Sequence, residues 1–134
     1  MAWLEHAMNP IAMSALYKEV PLLSDVELFD IVLSREGPTM TCSIGLPKFL
    51  DIPPEKWRKS GYNACNVKLQ FISFTELRIE GWSSNPIVDL KVNKLQSSLD
   101  VSLVGASTKI RMTCVGFRID KISPYVDGRR LGEK

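Results

Sequence analysis

The alternation of apolar and polar residues constrains this chain more than any other feature. Cys65, Val67, Leu69 and Phe71 alternate with Asn66, Lys68 and Gln70, a period of two that puts each set on its own face of an extended strand. The same period recurs in Leu77 and Ile79 against Glu76, Arg78 and Glu80, and in Val88, Leu90 and Val92 against Asp89 and Lys91. Leu99, Val101 and Leu103 oppose Asp100 and Ser102, and Ile110, Met112 and Cys114 oppose Lys109, Arg111 and Thr113. Phe117 and Ile119, set against Arg118 and Asp120, make a last strand. Upstream, Phe29, Ile31 and Leu33 run into a turn at Arg35-Glu36-Gly37-Pro38, and Met40, Cys42, Ile44 and Leu46 supply the hairpin partner. About eight short strands joined by tight turns predict an antiparallel meander with one wet face.

The N-terminal segment reads differently. Asn9-Pro10 has the form of an N-cap followed by proline at the first helical position, with Ile11, Ala12, Ala15 and Leu16 at helical spacing behind it. This predicts a helix to about Lys18 within a helical segment at 1–20. The strand at 26–35 is apolar on both faces, Val26, Leu28 and Val32 on one and Phe29, Ile31 and Leu33 on the other, so the helix is expected to cover part of its second face. The fold class is therefore α+β, mainly β: an N-terminal helix packed on a twisted antiparallel sheet spanning 26–123, with partial closure of the sheet one option. A length of 134 residues fits one domain, 1–134, that folds without metal or disulfide staples. The tail at 126–134 is charged and glycine-containing, and is expected to be flexible.

Charge and cysteine usage exclude several classes. A net charge of +2 is too small to imply a nucleic-acid partner. Glu5 and His6 stand where a secretory signal needs basic residues and then an apolar core, and no apolar run approaches the roughly 20 residues of a membrane span. A cytoplasmic location without membrane contact is the expectation. Cys42, Cys65 and Cys114 are odd in number and lie in strand-like runs, which favours reduced core thiols.

Catalytic equipment is not visible. The sole histidine, His6, has no neighbouring nucleophile, no Cys, His or carboxylate set shows metal-ligand spacing, and the glycines are scattered as turn residues. No cofactor, metal or enzymatic activity is expected. The aromatic residues carry more information. Pro53 and Pro54 stiffen the loop at 47–61, so Trp57 either closes the sheet as an apolar lid, the favoured reading, or anchors a partner. Trp82 falls on the polar side of its strand by alternation. Asn63 suits a bond to turn backbone better than one to a ligand. The candidate partner-binding set is Trp57, Arg58, Tyr62, Glu80 and Trp82.

The order Asn9-Pro10 with Leu16 and Tyr17, Arg35-Glu36-Gly37-Pro38, Pro53-Pro54-Glu55-Lys56-Trp57, Gly61-Tyr62-Asn63, Gly81-Trp82 and Ile122-Ser123-Pro124-Tyr125 resembles the immunity protein 50 family of bacterial polymorphic toxin systems. The resemblance spans nearly the whole chain, and its weight lies in the order of short motifs. It implies a small cytoplasmic protein, encoded beside a toxin gene, that binds the cognate toxin and blocks it in the producing cell without catalysis. Two other classes stay open on the residues alone. One is a small-ligand binder with a barrel-like cavity lined by Phe29, Leu69, Phe71 and Ile79. The other is a structural or adaptor subunit in which Trp82 is buried by another copy.

Overall fold

The computed structural model describes residues 2–130. Eight antiparallel strands form one open sheet: β1 (Val26–Ser34), β2 (Thr39–Gly45), β3 (Ala64–Ile72), β4 (Glu76–Glu80), β5 (Ile87–Lys94), β6 (Leu99–Gly105), β7 (Lys109–Cys114) and β8 (Gly116–Tyr125). Most apolar sets read from the alternation point inward, whereas those of β1 are broken by a register shift after Leu28. Cys65, Val67, Leu69 and Phe71 are all fully buried, as are Met40, Cys42 and Ile44 of the neighbouring strand.

The strand order is β4-β7-β6-β5-β1-β2-β3-β8, which corrects the simple meander. Two wings, β1-β2-β3-β8 and β5-β6-β7-β4, are joined in the sheet through the pairing of Val26 and Glu27 of β1 with Val88 and Ile87 of β5. Beyond that point β1 follows β2 alone, with a register shift between Leu28 and Asp30. Alternation specifies the face a residue takes and leaves the neighbouring strand unspecified. The free edge of β3 is therefore taken by β8 along its whole length, and the chain crosses to start β4 in the other wing. Ala7, Trp3, Leu4, Met13, Tyr17 and Leu23 join the strand residues in one apolar core.

The N-terminal helix is shorter than expected. It resolves into two single turns, α1 (Ala2–Glu5) and α2 (Ile11–Ser14). Pro10, and not Asn9, occupies the N-cap, without a side-chain capping bond. The amide of Asn9 is committed elsewhere: its Nδ2 donates to the Ile119 carbonyl at 2.9 Å and its Oδ1 accepts the Ile119 N–H at 2.8 Å. Downstream, the loop after β2 bonds two backbone groups that a longer helix would have used, the Lys18 N–H and the Leu16 carbonyl, and holds the Tyr17 hydroxyl as well. Lys18 N–H donates to Asp51 at 2.9 Å, the Tyr17 hydroxyl to the Lys48 carbonyl at 2.7 Å, and Ile52 N–H to the Leu16 carbonyl at 2.9 Å. With tertiary bonds of that quality available, weak local propensity does not extend the helix.

This segment closes one side of the molecule. Trp3 stacks on Phe117 at 6.5 Å, Met8 N–H donates to the Phe117 carbonyl at 2.8 Å, and Ala7 bridges Phe117 in parallel. It does not cover the second half of β1, where Val32 and Leu33 are 61% and 51% exposed. Of the tail at 126–134, residues 131–134 lie outside the described residues. Asp127, by contrast, is buried, and Asn63 clamps its backbone, Oδ1 accepting the Asp127 N–H at 2.7 Å and Nδ2 donating to its carbonyl at 3.1 Å.

Candidate functional site

Trp82 is the most exposed aromatic side chain of the expected set, at 73%, and the local backbone explains its position. Gly81 sits at φ +78°, and a Cβ there would collide with the Ser107 carbonyl of the turn joining β6 to β7. Only glycine lets the two segments approach so closely. The Thr108 hydroxyl then donates to the Gly81 carbonyl, and the Ser83 and Ser107 hydroxyls meet at 2.8 Å. The end of β4 is thereby pinned to the β6–β7 turn and the indole is turned outward. It lines a cavity of about 40 Å³ together with Leu28, Phe29, Ile31, Pro86 and Ile110. Glu80, also exposed, lies across from Lys109 in the register of β4 and β7.

The other three expected residues belong to the opposite wing. Trp57 lies in a one-turn helix, α3 (Glu55–Lys59), which follows Pro54. Its ring is half-buried and packs against the core, as the lid reading requires. Arg58 beside it is exposed, and Tyr62 is half-buried. The two tryptophans are not in ring contact among the described residues. A chain of contacts runs between their regions instead. Phe29, beside Trp82, meets Tyr125 edge-on at 6.5 Å, and the Tyr125 carbonyl accepts the N–H of Asn63 at 3.2 Å.

An open groove of about 490 Å³ lies along this chain of contacts, lined by Glu27, Pro47, Ile87, Tyr125 and Arg129 among others. Arg129 bridges Glu27 and Asp127, at 2.8 Å to Asp127, and these two carboxylates raise its pKa further above the ordinary arginine value. Reasoning from sequence missed Arg129, because its partners lie 102 and 2 positions away. The one available signal was the acidic residue in its own turn.

Among the described residues little else offers chemistry. No group of three or more His, Cys, Asp or Glu side chains among the described residues could hold a metal ion. The three cysteines are free and buried, and burial pushes the Cys42 thiol up to about 12 and those of Cys65 and Cys114 up to about 11. Such thiols are poor nucleophiles at neutral pH. Leu69 and Phe71 are fully buried, and Phe71 packs on Phe117 at 5.4 Å. Leu69 and Phe71 therefore belong to filled core, while Phe29 and Ile79 are only partly buried, so the four do not enclose a common ligand chamber. The 40 Å³ space beside Trp82 holds a few waters at most, and no described helix is long and apolar enough to cross a membrane.

Comparison with known proteins gives one match. The family model described as immunity protein 50 matches residues 9–125, most of the chain, and the chain belongs to that family. No curated protein and no solved structure matches it.

Proposed function

We propose that this immunity protein 50 family member neutralises a cognate polymorphic toxin, binding and blocking it in the cytoplasm of the bacterial cell that makes it. Family membership over residues 9–125 is the observation that carries the reading. The exposed indole of Trp82, held beside the pinned β6–β7 turn, suits inhibition by contact. Exposed aromatic and arginine side chains on stiff backbone are the usual anchors of a protein interface, because little entropy is lost when they bind.

The proposed contact surface carries Glu80 and Trp82 on one wing and Trp57, Arg58 and Tyr62 on the other, with Phe29 and Tyr125 between. Trp82 is its expected anchor. Arg58→Ala and Glu80→Ala, each checked for an unchanged thermal midpoint, test the surface by affinity for the toxin domain encoded by the neighbouring gene. A loss of tenfold or more in either variant is the expected result. Unchanged affinity in both moves the contact off this surface, and failure of the wild-type chain to bind or protect refutes the function.

A further inference from the structure

We infer that the gap between β1 and β4 is a strand-acceptor slot, and that the toxin bound under the proposed function fills it with an extended segment that pairs with both edges. The argument begins with the edges of the sheet. The start of β8 is covered by the N-terminal segment, through the Ala7 bridge to Phe117 and the Asn9 clamp on Ile119. The β4 edge carries Glu76, Arg78 and Glu80, the alternating charges that discourage unspecific pairing. On the side away from β2, β1 pairs with β5 only at Val26 and Glu27, with one further bond from Leu28 N–H to the Pro86 carbonyl. The stretch Phe29–Ser34 is therefore left as an edge with a single charge, Asp30.

The inner faces of the two lips are incompletely covered. Residues directly opposite one another in a ladder share a face. Ile31 and Leu33 lie opposite Cys42 and Met40, and Leu77 and Ile79 lie opposite Met112 and Ile110. The four partners are buried, whereas Ile31, Leu77 and Ile79 are only partly buried and Leu33 is 51% exposed. These inward-facing apolar rows lose part of their cover here, where the edges of β1 and β4 flank them. Cavities spanned by both wings mark each end of the slot: one joins Phe29 and Ile31 to Trp82, the other joins Leu33 to Phe74 and Leu77.

A strand with two free edges fits this geometry; a strand already paired within a sheet does not. That disfavours a second copy of this chain, whose β1 is already bonded to β2. The occupant is a partner's isolated extended segment, apolar at alternate positions facing the core. Its outward positions should be basic, because Asp30, Glu76 and Glu80 outnumber Arg78 on the exposed positions of the lips. Main-chain bonds would supply affinity and the two end cavities side-chain selectivity, the known logic of strand addition.

The test uses the full-length chain and an inactivated toxin domain from the neighbouring gene. Amide hydrogen exchange is compared with and without toxin, and affinity is measured for Leu33→Asp and Leu77→Asp. Both side chains are partly exposed, so these variants are expected to fold, which near-ultraviolet circular dichroism checks. New protection at 29–34 and 76–80, with affinity falling about thirtyfold or more in either folded variant, is the expected result. Lys91→Ala, on the outer face, should leave affinity unchanged. Tight binding without protection at these edges overturns the slot and leaves the proposed function standing. Absence of any complex with the wild-type chain overturns both. If the aspartate variants misfold, the exchange pattern of the wild-type complex alone decides.

Discussion

Replacing Asn9 tests whether this residue holds the N-terminal segment to the sheet as a two-way clamp, as the structure has it, or as a helix cap, as its sequence context suggests. Its side chain makes two bonds to one residue, donating to the Ile119 carbonyl at 2.9 Å and accepting the Ile119 N–H at 2.8 Å. A typical intramolecular hydrogen bond contributes about 1 kcal/mol net, and a buried group left without a partner costs about 1–3 kcal/mol. Because the site is only partly buried, water can recover some of that cost. Asn9→Ala should therefore destabilise the fold by about 2–3 kcal/mol, a fall in melting temperature of roughly 3–5 °C per kcal/mol for a chain of this size.

The discriminating variants are Asn9→Asp and Asn9→Ser, both good N-caps. If Asn9 acted as a cap, either would restore stability. Under the clamp, aspartate keeps the acceptor, loses the donor and sets a carboxylate against the Ile119 carbonyl, while serine is too short to replace both amide atoms. Each should remain within about 1 kcal/mol of the alanine variant. Urea denaturation with an unchanged slope gives the measurement. Recovery to wild-type stability by aspartate or serine would refute the clamp, and so would a loss below about 0.5 kcal/mol in the alanine variant.

Gly81→Ala should destabilise by about 1–3 kcal/mol, since it sets a side chain at φ +78° against the Ser107 carbonyl; calorimetry gives the cost and a shift in Trp82 emission reports the displaced turn. The buried thiols predict alkaline destabilisation. Burial raises the Cys42 pKa from 9.0 to about 12, so the protonated thiol's contribution is fully present below pH 9 and is lost as pH rises toward 12. Its full size is about 4 kcal/mol at about 1.4 kcal/mol per pH unit, and Cys42→Ala should flatten that part of the stability curve. Asp51 sets the acid side: the Lys18 N–H, chiefly, and then Lys48 hold its carboxyl below 3.8. Its contribution is present above that value and disappears as pH falls through the lower folded pKa. NMR titration should give a midpoint below 3.8 that moves up in Lys48→Ala; an unmoved midpoint would remove Lys48 from the account.

The faces of this fold were legible in the sequence and its neighbours were not. Alternation placed Cys65 to Phe71 and Ile110 to Cys114 inward, and all of these apolar residues are buried. The same pattern cannot say that β8 pairs with β3, or that β4 returns to the far edge beyond β7, because a strand's period is the same whichever strand lies beside it. Asn63 was read correctly as a residue that bonds backbone, and its partner proved to be Asp127. Asn9 was misread, since Asn-Pro before an apolar run has the same form whether the amide caps its own turn or reaches a strand 110 positions away.

The strand at 26–35 shows how the unexplained part of a pattern can carry the most information. Its apolar residues on both faces call for a cover, and the sequence offers the N-terminal helix for it. The helix is too short and lies against the other side, where Trp3 meets Phe117. Val32 and Leu33 consequently remain in solvent beside an unpaired edge, an arrangement that a stable monomer ordinarily avoids. Leucine and valine left there add no packing to the monomer, and this is the observation the proposed slot accounts for. Across the gap, Leu77 and Ile79 of β4 are inward-facing and only partly buried in the same way. The two inward rows, Ile31 with Leu33 and Leu77 with Ile79, share one remedy in the proposed slot, a strand between them that covers these four side chains and pairs both edges.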